Sequence, residues 1–262
     1  MKKWYITCMV LCLLPELYGD RSWGQAIDDS SYYRMPRFGI VGAANFIHHS
    51  SDFQALPGVP NCCTQFTSGS GVGYSAGLLY EHPTRGAWLL GGRIAFQHVP
   101  ARFRSREATT FIIDGKATPG AFDHEIDAEY DIVWVHYIAG YRLFEINSGR
   151  LDIAAQAGIG AGIITGSSYS QRERIAEPEG VGEFIDTGEP VRNEASGTIP
   201  DISSLAAEIT IGLGSNVKLN ESRTLLLSPE IWFSVGLADV VPSLSWRTYE
   251  LRVGAALKYI PR

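Results

Sequence analysis

The chain has 262 residues and a formal charge of -6, and it shows no basic stripe able to neutralise phosphates, which excludes a nucleic-acid partner from the expected functions. Hydrophobic residues make up 45% and aromatics 11%, with 28 glycines, a mixture that suits many strands and turns better than packed helices.

Residues 1–26 have the layout of an export signal: Lys2 and Lys3, the apolar run WYITCMVLCLL, a breaker at Pro15, and a small-residue site ending at Ala26. Cleavage there leaves residues 27–262 as one domain. The run is too short to span a bilayer as a helix, and no later segment approaches the roughly 20 apolar residues such a span needs. Cys8 and Cys12 go with the signal, and MVLC lacks the small residue of a lipid-attachment site, so no lipid anchor is expected.

The rest of the chain alternates with a period of two, eight times over. Residues 38–48 put Phe38, Ile40, Gly42, Ala44 and Phe46 on one side. Residues 72–82 oppose Tyr74, Ala76, Leu78 and Tyr80 to Gly73, Ser75, Gly77 and Glu81. In the third run Trp88, Leu90, Ile94 and Phe96 face away from Gly91, Arg93, Ala95 and Gln97. The fourth sets Val133, Val135, Tyr137, Ala139, Tyr141 and Leu143 against Trp134, His136, Gly140 and Arg142. The fifth, RLDIAAQAGIGAGI, is the clearest, with Leu151, Ile153, Ile159 and Ile163 opposed to Asp152, Gln156, Gly158 and Gly160. The sixth, seventh and eighth follow at residues 205–214, 225–237 and 249–259.

A soluble sandwich also alternates, but its polar face looks into open water and has no reason to be small. Here that face is mostly Gly, Ala and Ser, with isolated charges. A narrow closed interior accommodates this pattern: little volume, and charges that must pair. Glu81, Arg93, Arg142, Asp152, Glu208, Glu230, Glu250, Arg252 and Lys258 are therefore expected to form an internal charge network, with the apolar stripe facing lipid. A soluble periplasmic barrel carrying a ligand would need an apolar interior instead.

The connections alternate as well. Long links at residues 49–71, 99–128 and 167–201, and a medium one at ADVVPSLS, are separated by short ones at PTRGA, EINSG and LNESR. The sequence therefore predicts an all-β fold, an eight-stranded antiparallel transmembrane β-barrel with short periplasmic turns and long extracellular loops. Tyr80, Trp88, Tyr141, Tyr249 and Tyr259 fall near strand ends on the outward stripe, where aromatic girdles belong.

The stretches DFQALPGVPNCC, RNEASGTIPDISSL and SPEIWFSVGLADVVPSLSWRTYELRVGAALKYI resemble segments of small outer-membrane β-barrel proteins, PorT-like and OmpA-like, of the Bacteroidota and Chlorobi lineages. The resemblance implies an outer-membrane location and the barrel fold. It implies activity only in outline, because small barrels serve as anchors, adhesins, secretion components and occasional lipid-modifying enzymes.

Three clusters invite a chemical reading. HHSSDF, residues 48–53, offers imidazoles, hydroxyls and a carboxylate for acyl transfer, yet neighbours on a strand point to opposite faces. Asp123, His124 and Glu125 lack the ligand spacing of a recognised metal motif, and Glu177, Glu179, Glu183, Asp186 and Glu189 lack a calcium-loop pattern. Cys62 and Cys63 lie in the first extracellular loop, where a vicinal disulfide stands beside free or intermolecularly paired thiols. No catalytic residue, metal or cofactor is expected. The sequence is that of a non-enzymatic barrel with a side-chain-filled interior, expected to serve as a structural, adhesive or assembly component. Its partners are outer-membrane lipid and an extracellular or envelope protein met through the long loops. The alternative is an enzyme acting on lipid or lipopolysaccharide with residues 48–52.

Overall fold

The computed structural model of the chain describes residues 35–60, 65–84, 86–113, 115–146, 151–177, 180, 182–184, 187–220 and 224–261. The export signal and the Cys62–Cys63 pair lie outside the described residues. Nine strands are present among the described residues: β1 (Arg37–Phe53), β2 (Phe66–Pro83), β3 (Trp88–Ile113), β4 (Lys116–Ile146), β5 (Leu151–Glu177), β6 (Val191–Gly197), β7 (Leu205–Lys218), β8 (Leu225–Gly236) and β9 (Ser245–Tyr259).

Eight of them close into a ring. The sheet order is β4-β3-β2-β1-β9-β8-β7-β5-β6, and β4 also pairs with β5, so only β6 stands outside the closed circuit. Every pairing is antiparallel. The first and last strands seal the barrel in continuous register from Phe38 opposite Tyr259 to Asp52 opposite Ser245. Closure removes the unpaired edges that an open sheet would expose to lipid.

All eight alternating runs are strands, and the side that each presents outward is the apolar one. Ile40, Leu78, Val135, Ile159 and Ile211 are 60%, 64%, 57%, 62% and 56% exposed, a continuous apolar surface that water does not tolerate and lipid requires. Tyr80, Trp88, Tyr141 and Tyr259 ring the short-turn end, and Tyr249 lies towards the other. Inside, glycine makes room for large side chains. A Cβ on Gly160 would sit 2.6 Å from the His136 ring, and one on Gly212 would sit 2.6 Å from Trp232.

The long links differ from the expected loops. Residues 99–128 continue the ladder as a hairpin of β3 and β4 that turns only at Gly115, where φ is +74°. β5 runs on to Glu177, and β6 pairs with its far end. A four-stranded sheet thus rises from the long-loop end, about 33 Å of strand for residues 104–113 of β3, beyond the last pairing of β2 with β3 at Phe103. A bulge between Asp131 and Ile132 marks the junction with the barrel.

Candidate functional site

The lumen is filled in two chemically distinct layers. At the short-turn end, Lys258 Nζ donates to Glu81 Oε1 at 2.5 Å and to Asn216 Oδ1 at 3.1 Å, and Arg37 lies 3.8 Å from Glu81 Oε2. Asn216 donates to Asp152 Oδ1 at 2.5 Å and accepts from Ser228 Oγ at 2.6 Å, tying β7 to β5 and β8. Arg142 is buried on the same inward face of β4.

At mid-height the Arg93 guanidinium engages Glu230 through two parallel bonds, both 2.7 Å, and its Cζ lies 4.8 Å from the Trp232 ring centre. Such a two-pronged pair fixes orientation as well as charge. Arg252 binds Glu208 and sits 3.2 Å from Glu250, while His136 Nε2 is 2.7 Å from Glu208 Oε1. Gln97 links the set by donating to Glu250 at 2.8 Å and accepting from Trp134 Nε1 at 2.6 Å. A cavity of ≈ 30 Å³ remains among Gln97, Trp134, His136, Glu230, Trp232 and Arg252, room for more than one water molecule.

Of the nine charges expected inside, the structure brings Glu81 to Lys258, Arg93 to Glu230, and Arg252 to both Glu208 and Glu250. Asp152 joins them through Asn216. The partners Arg37, Gln97, His136 and Asn216 lie outside the nine expected charges, although each has inward parity and Gln97 and His136 already fall on the polar sides of their runs.

Above this layer the lumen turns apolar. Ile47, Phe53, Phe66, Val99, Phe103, Ile126, Tyr130, Ile132 and Trp246 form one buried cluster, closed by Leu56 and Val59 of the first loop, Ile199, Val240 and Val241. Phe103 meets Trp246 edge-on at 5.0 Å and Phe53 at 5.3 Å. Trp246 Nε1 donates to His49 Nδ1 at 3.0 Å, so the imidazole proton sits on Nε2 and is given to Pro100 O at 3.0 Å. Gln171 Nε2 donates to Pro60 O at 2.6 Å and pins the first loop to β5. This loop folds inward over the mouth.

These contacts use up the groups of the acyl-transfer reading. His49 has both ring nitrogens engaged, Ser51 Oγ donates to Phe66 O at 2.9 Å, and His48, Ser50 and Asp52 point to the opposite face, where Asp52 accepts from Gln65. No nucleophile and base meet in residues 48–52. Asp123 and Glu125 likewise lie on the outer face of β4 and His124 on the inner one, and no group of three or more potential metal ligands converges among the described residues.

The outer face of the raised sheet carries a charge ladder. Arg102, Arg104 and Arg106 of β3 stand opposite Asp127, Glu125 and Asp123 of β4, which face Ser170, Arg172 and Arg174 of β5 across the other side. Arg172 Nε donates to Glu125 Oε2 at 2.5 Å, Arg104 Nη2 to Asp127 Oδ1 at 2.9 Å, and Arg174 Nη2 to Asp123 Oδ2 at 3.0 Å. Partial burial pushes the Glu125 carboxyl up, but the Arg172 hydrogen bond and the Arg104, Arg172 and Arg174 charges hold it below its usual range. The inner face carries Glu173, bound by Arg192 and Asn193 at 2.7 Å each, with Arg192 Cζ 4.2 Å above Phe184.

A closed antiparallel ring of even strand number with an apolar outer belt is the architecture of a bacterial outer-membrane β-barrel, and it locates the chain in the outer membrane. Among solved structures, the chain is similar to OprG from Pseudomonas aeruginosa at 12% identity, covering 87% of this chain and 98% of that one, with a TM-score of 0.42. It is also similar to Ail, the attachment invasion locus protein of Yersinia pestis, at 12% identity over 86% and 99% of the two chains, with a TM-score of 0.34. The outer membrane protease OmpT from Escherichia coli aligns at 8% identity over 87% and 97%, also with a TM-score of 0.34. No family model and no curated protein matches the chain.

Proposed function

We propose that this barrel is a non-enzymatic outer-membrane protein that acts at the cell surface through the sheet raised by β3, β4, β5 and β6, with the barrel as its anchor. The observation that carries this reading is the contrast between a lumen filled over two layers and a long ordered extension outside it. A filled eight-stranded lumen offers no route for solutes. An extension held by three ion-paired rows presents a stable surface. Residues 1–26 act as the export signal, residues 27–262 as the barrel domain, and the short turns face the periplasm. The nine lumenal charges hold the strands in register and occupy the bore.

Membrane fractionation followed by surface proteolysis tests this. The protein is expected in the detergent-extracted outer-membrane fraction, and trypsin added to intact cells is expected to cut at the tip residue Lys116. Extraction by salt alone, or full protection of the hairpin in intact cells with cleavage only after lysis, overturns the reading. Planar-bilayer recordings are expected to show no porin-sized steps.

A further inference from the structure

The raised sheet has one long side with nothing beside it among the described residues. β2 leaves β3 after Gly69 pairs with Phe103, whereas β3 continues with β4 as far as Ile113. Among the described residues, no backbone hydrogen bond reaches residues 106–113 from the side away from β4. Natural sheets blunt such edges with proline, bulges or inward-pointing charges. This one does the opposite. After Glu107 the edge reads ATTFII, six residues with no charge, no proline and no glycine, rich in β-branched side chains, and Ile112 is 74% exposed. That composition is the signature of segments that pair edge to edge.

Resting on the surface-facing reading above, we propose that residues 106–113 pair antiparallel with the same residues of a second copy of this chain anchored in a facing membrane, so that the protein joins two cells by strand addition.

Two observations select this occupant. The first is direction. β3 runs outward from the barrel, so copies in one membrane present parallel edges, whereas copies in two facing membranes present antiparallel ones, the geometry with the better aligned hydrogen bonds. The second is charge. Antiparallel self-pairing centred on Ala108, Thr109 or Thr110 sets Arg106 against Thr110, Ile112 or no residue of the segment, and Glu107 against Thr109, Phe111 or Ile113. No like charges meet in any of these registers. One such contact is smaller than a stable interface requires, and the many copies on a cell surface supply avidity.

The test is a charge swap at two exposed outer-face positions, in full-length protein displayed on cells that lack other aggregating factors. Ala108 and Thr110 are replaced together by Lys in one variant and together by Glu in another. Both variants also carry Arg106→Gln, because Arg106 faces position 110 when the pairing is centred on Ala108 and would attract the Thr110→Glu side chain; with it neutralised, all three registers place like charges opposite each other within one variant and opposite charges between the two. Wild-type cells are expected to co-sediment. Each variant alone is expected to clump at least tenfold less, and an equal mixture of the two to recover clumping in mixed aggregates. Heat-modifiable migration on gels verifies that both variants fold, and surface cleavage at Lys116 verifies that the hairpin is outside. Variants that clump like wild type, a mixture that fails to recover, or dispersed wild-type cells with a surface-exposed hairpin each overturn the proposal. A hairpin protected in intact cells overturns the surface-facing reading itself.

Discussion

The two halves of the lumen solve the same problem with opposite chemistry. From Glu81 and Lys258 up to Glu250 and Gln97 the bore is filled by paired charges and amides, and glycines on facing strands make room for them. From Ile47 to Trp246 it is filled by aromatic and aliphatic side chains, and a loop supplies the lid. In the lower half each charge is tolerable only because its partner is present, since an isolated ion in so dry a space costs several kcal/mol. In the upper half no single partner is obligatory, and stability follows from buried area and fit. The lower half therefore depends on pairwise identity and the upper half on volume.

Removing one member of a buried pair is the sharpest way to expose that difference. Glu230→Ala leaves the Arg93 guanidinium buried without its carboxylate and is expected to destabilise the barrel by about 3–5 kcal/mol, read from urea unfolding in detergent micelles. Replacing both partners, Arg93→Met with Glu230→Leu, is expected to restore most of the loss, because two apolar groups of similar volume have no ion to strand. A double variant as unstable as the single one would show that the lower half also depends mainly on volume. In the upper half Leu56→Ala, which hollows the lid over the mouth, is expected to cost about 2–5 kcal/mol, with no second substitution across the cluster restoring it unless it refills the space.

The lower half was legible in the sequence because its residues share the strands' parity: once the apolar stripe is outside, Glu81, Arg93 and Arg252 have nowhere else to point. The upper half was not. Ile47 and Phe53 are apolar residues on the inward parity of β1: Ile47 breaks the small and polar pattern at the end of the expected first strand, and Phe53 falls where a loop was expected. Leu56, Val59, Val240 and Val241 come from connections, where alternation carries no information. Parity continued through residues 99–128 as well, but the outer stripe changes from apolar to Arg and Glu on leaving the lipid, so a hydrophobicity pattern tuned to a membrane strand stops there. Arg102, Arg104 and Arg106 opposite Asp127, Glu125 and Asp123 were the available signal: charges at every second position with complementary signs on consecutive segments.

That ladder gives a third, solvent-facing version of the same pairing, and pH separates it from the rest. The Glu125 carboxyl has a folded pKa below its unfolded one, so its contribution is fully present above the ordinary carboxylate range, near pH 4.3. It is lost as pH falls through the lower folded value. Hydrogen-exchange protection of residues 121–131 and 167–175 is expected to decline on acidification below about pH 4, with Glu125→Gln abolishing this dependence. High salt is expected to produce a similar, smaller loosening, since Arg104, Arg172 and Arg174 are about half exposed and screened. A decline of equal size in the Glu125→Gln variant would assign the sensitivity to another carboxylate of the sheet.

The smallest expected effect concerns the lid. Leu56 and Val59 are buried and Pro60 is held by Gln171, so the first loop is already fixed on its leading side before Cys62 and Cys63 are reached. A vicinal disulfide between Cys62 and Cys63, in an oxidising compartment, would be a tight ring that is easily reduced. Mass spectrometry of the unreduced protein is expected to find the peptide containing both cysteines two hydrogens lighter than its dithiol form. Reduction is then expected to shift the unfolding midpoint far less than Leu56→Ala does. A larger shift on reduction would move the control of the mouth from the packing of Leu56 and Val59 to the covalent bridge beyond them.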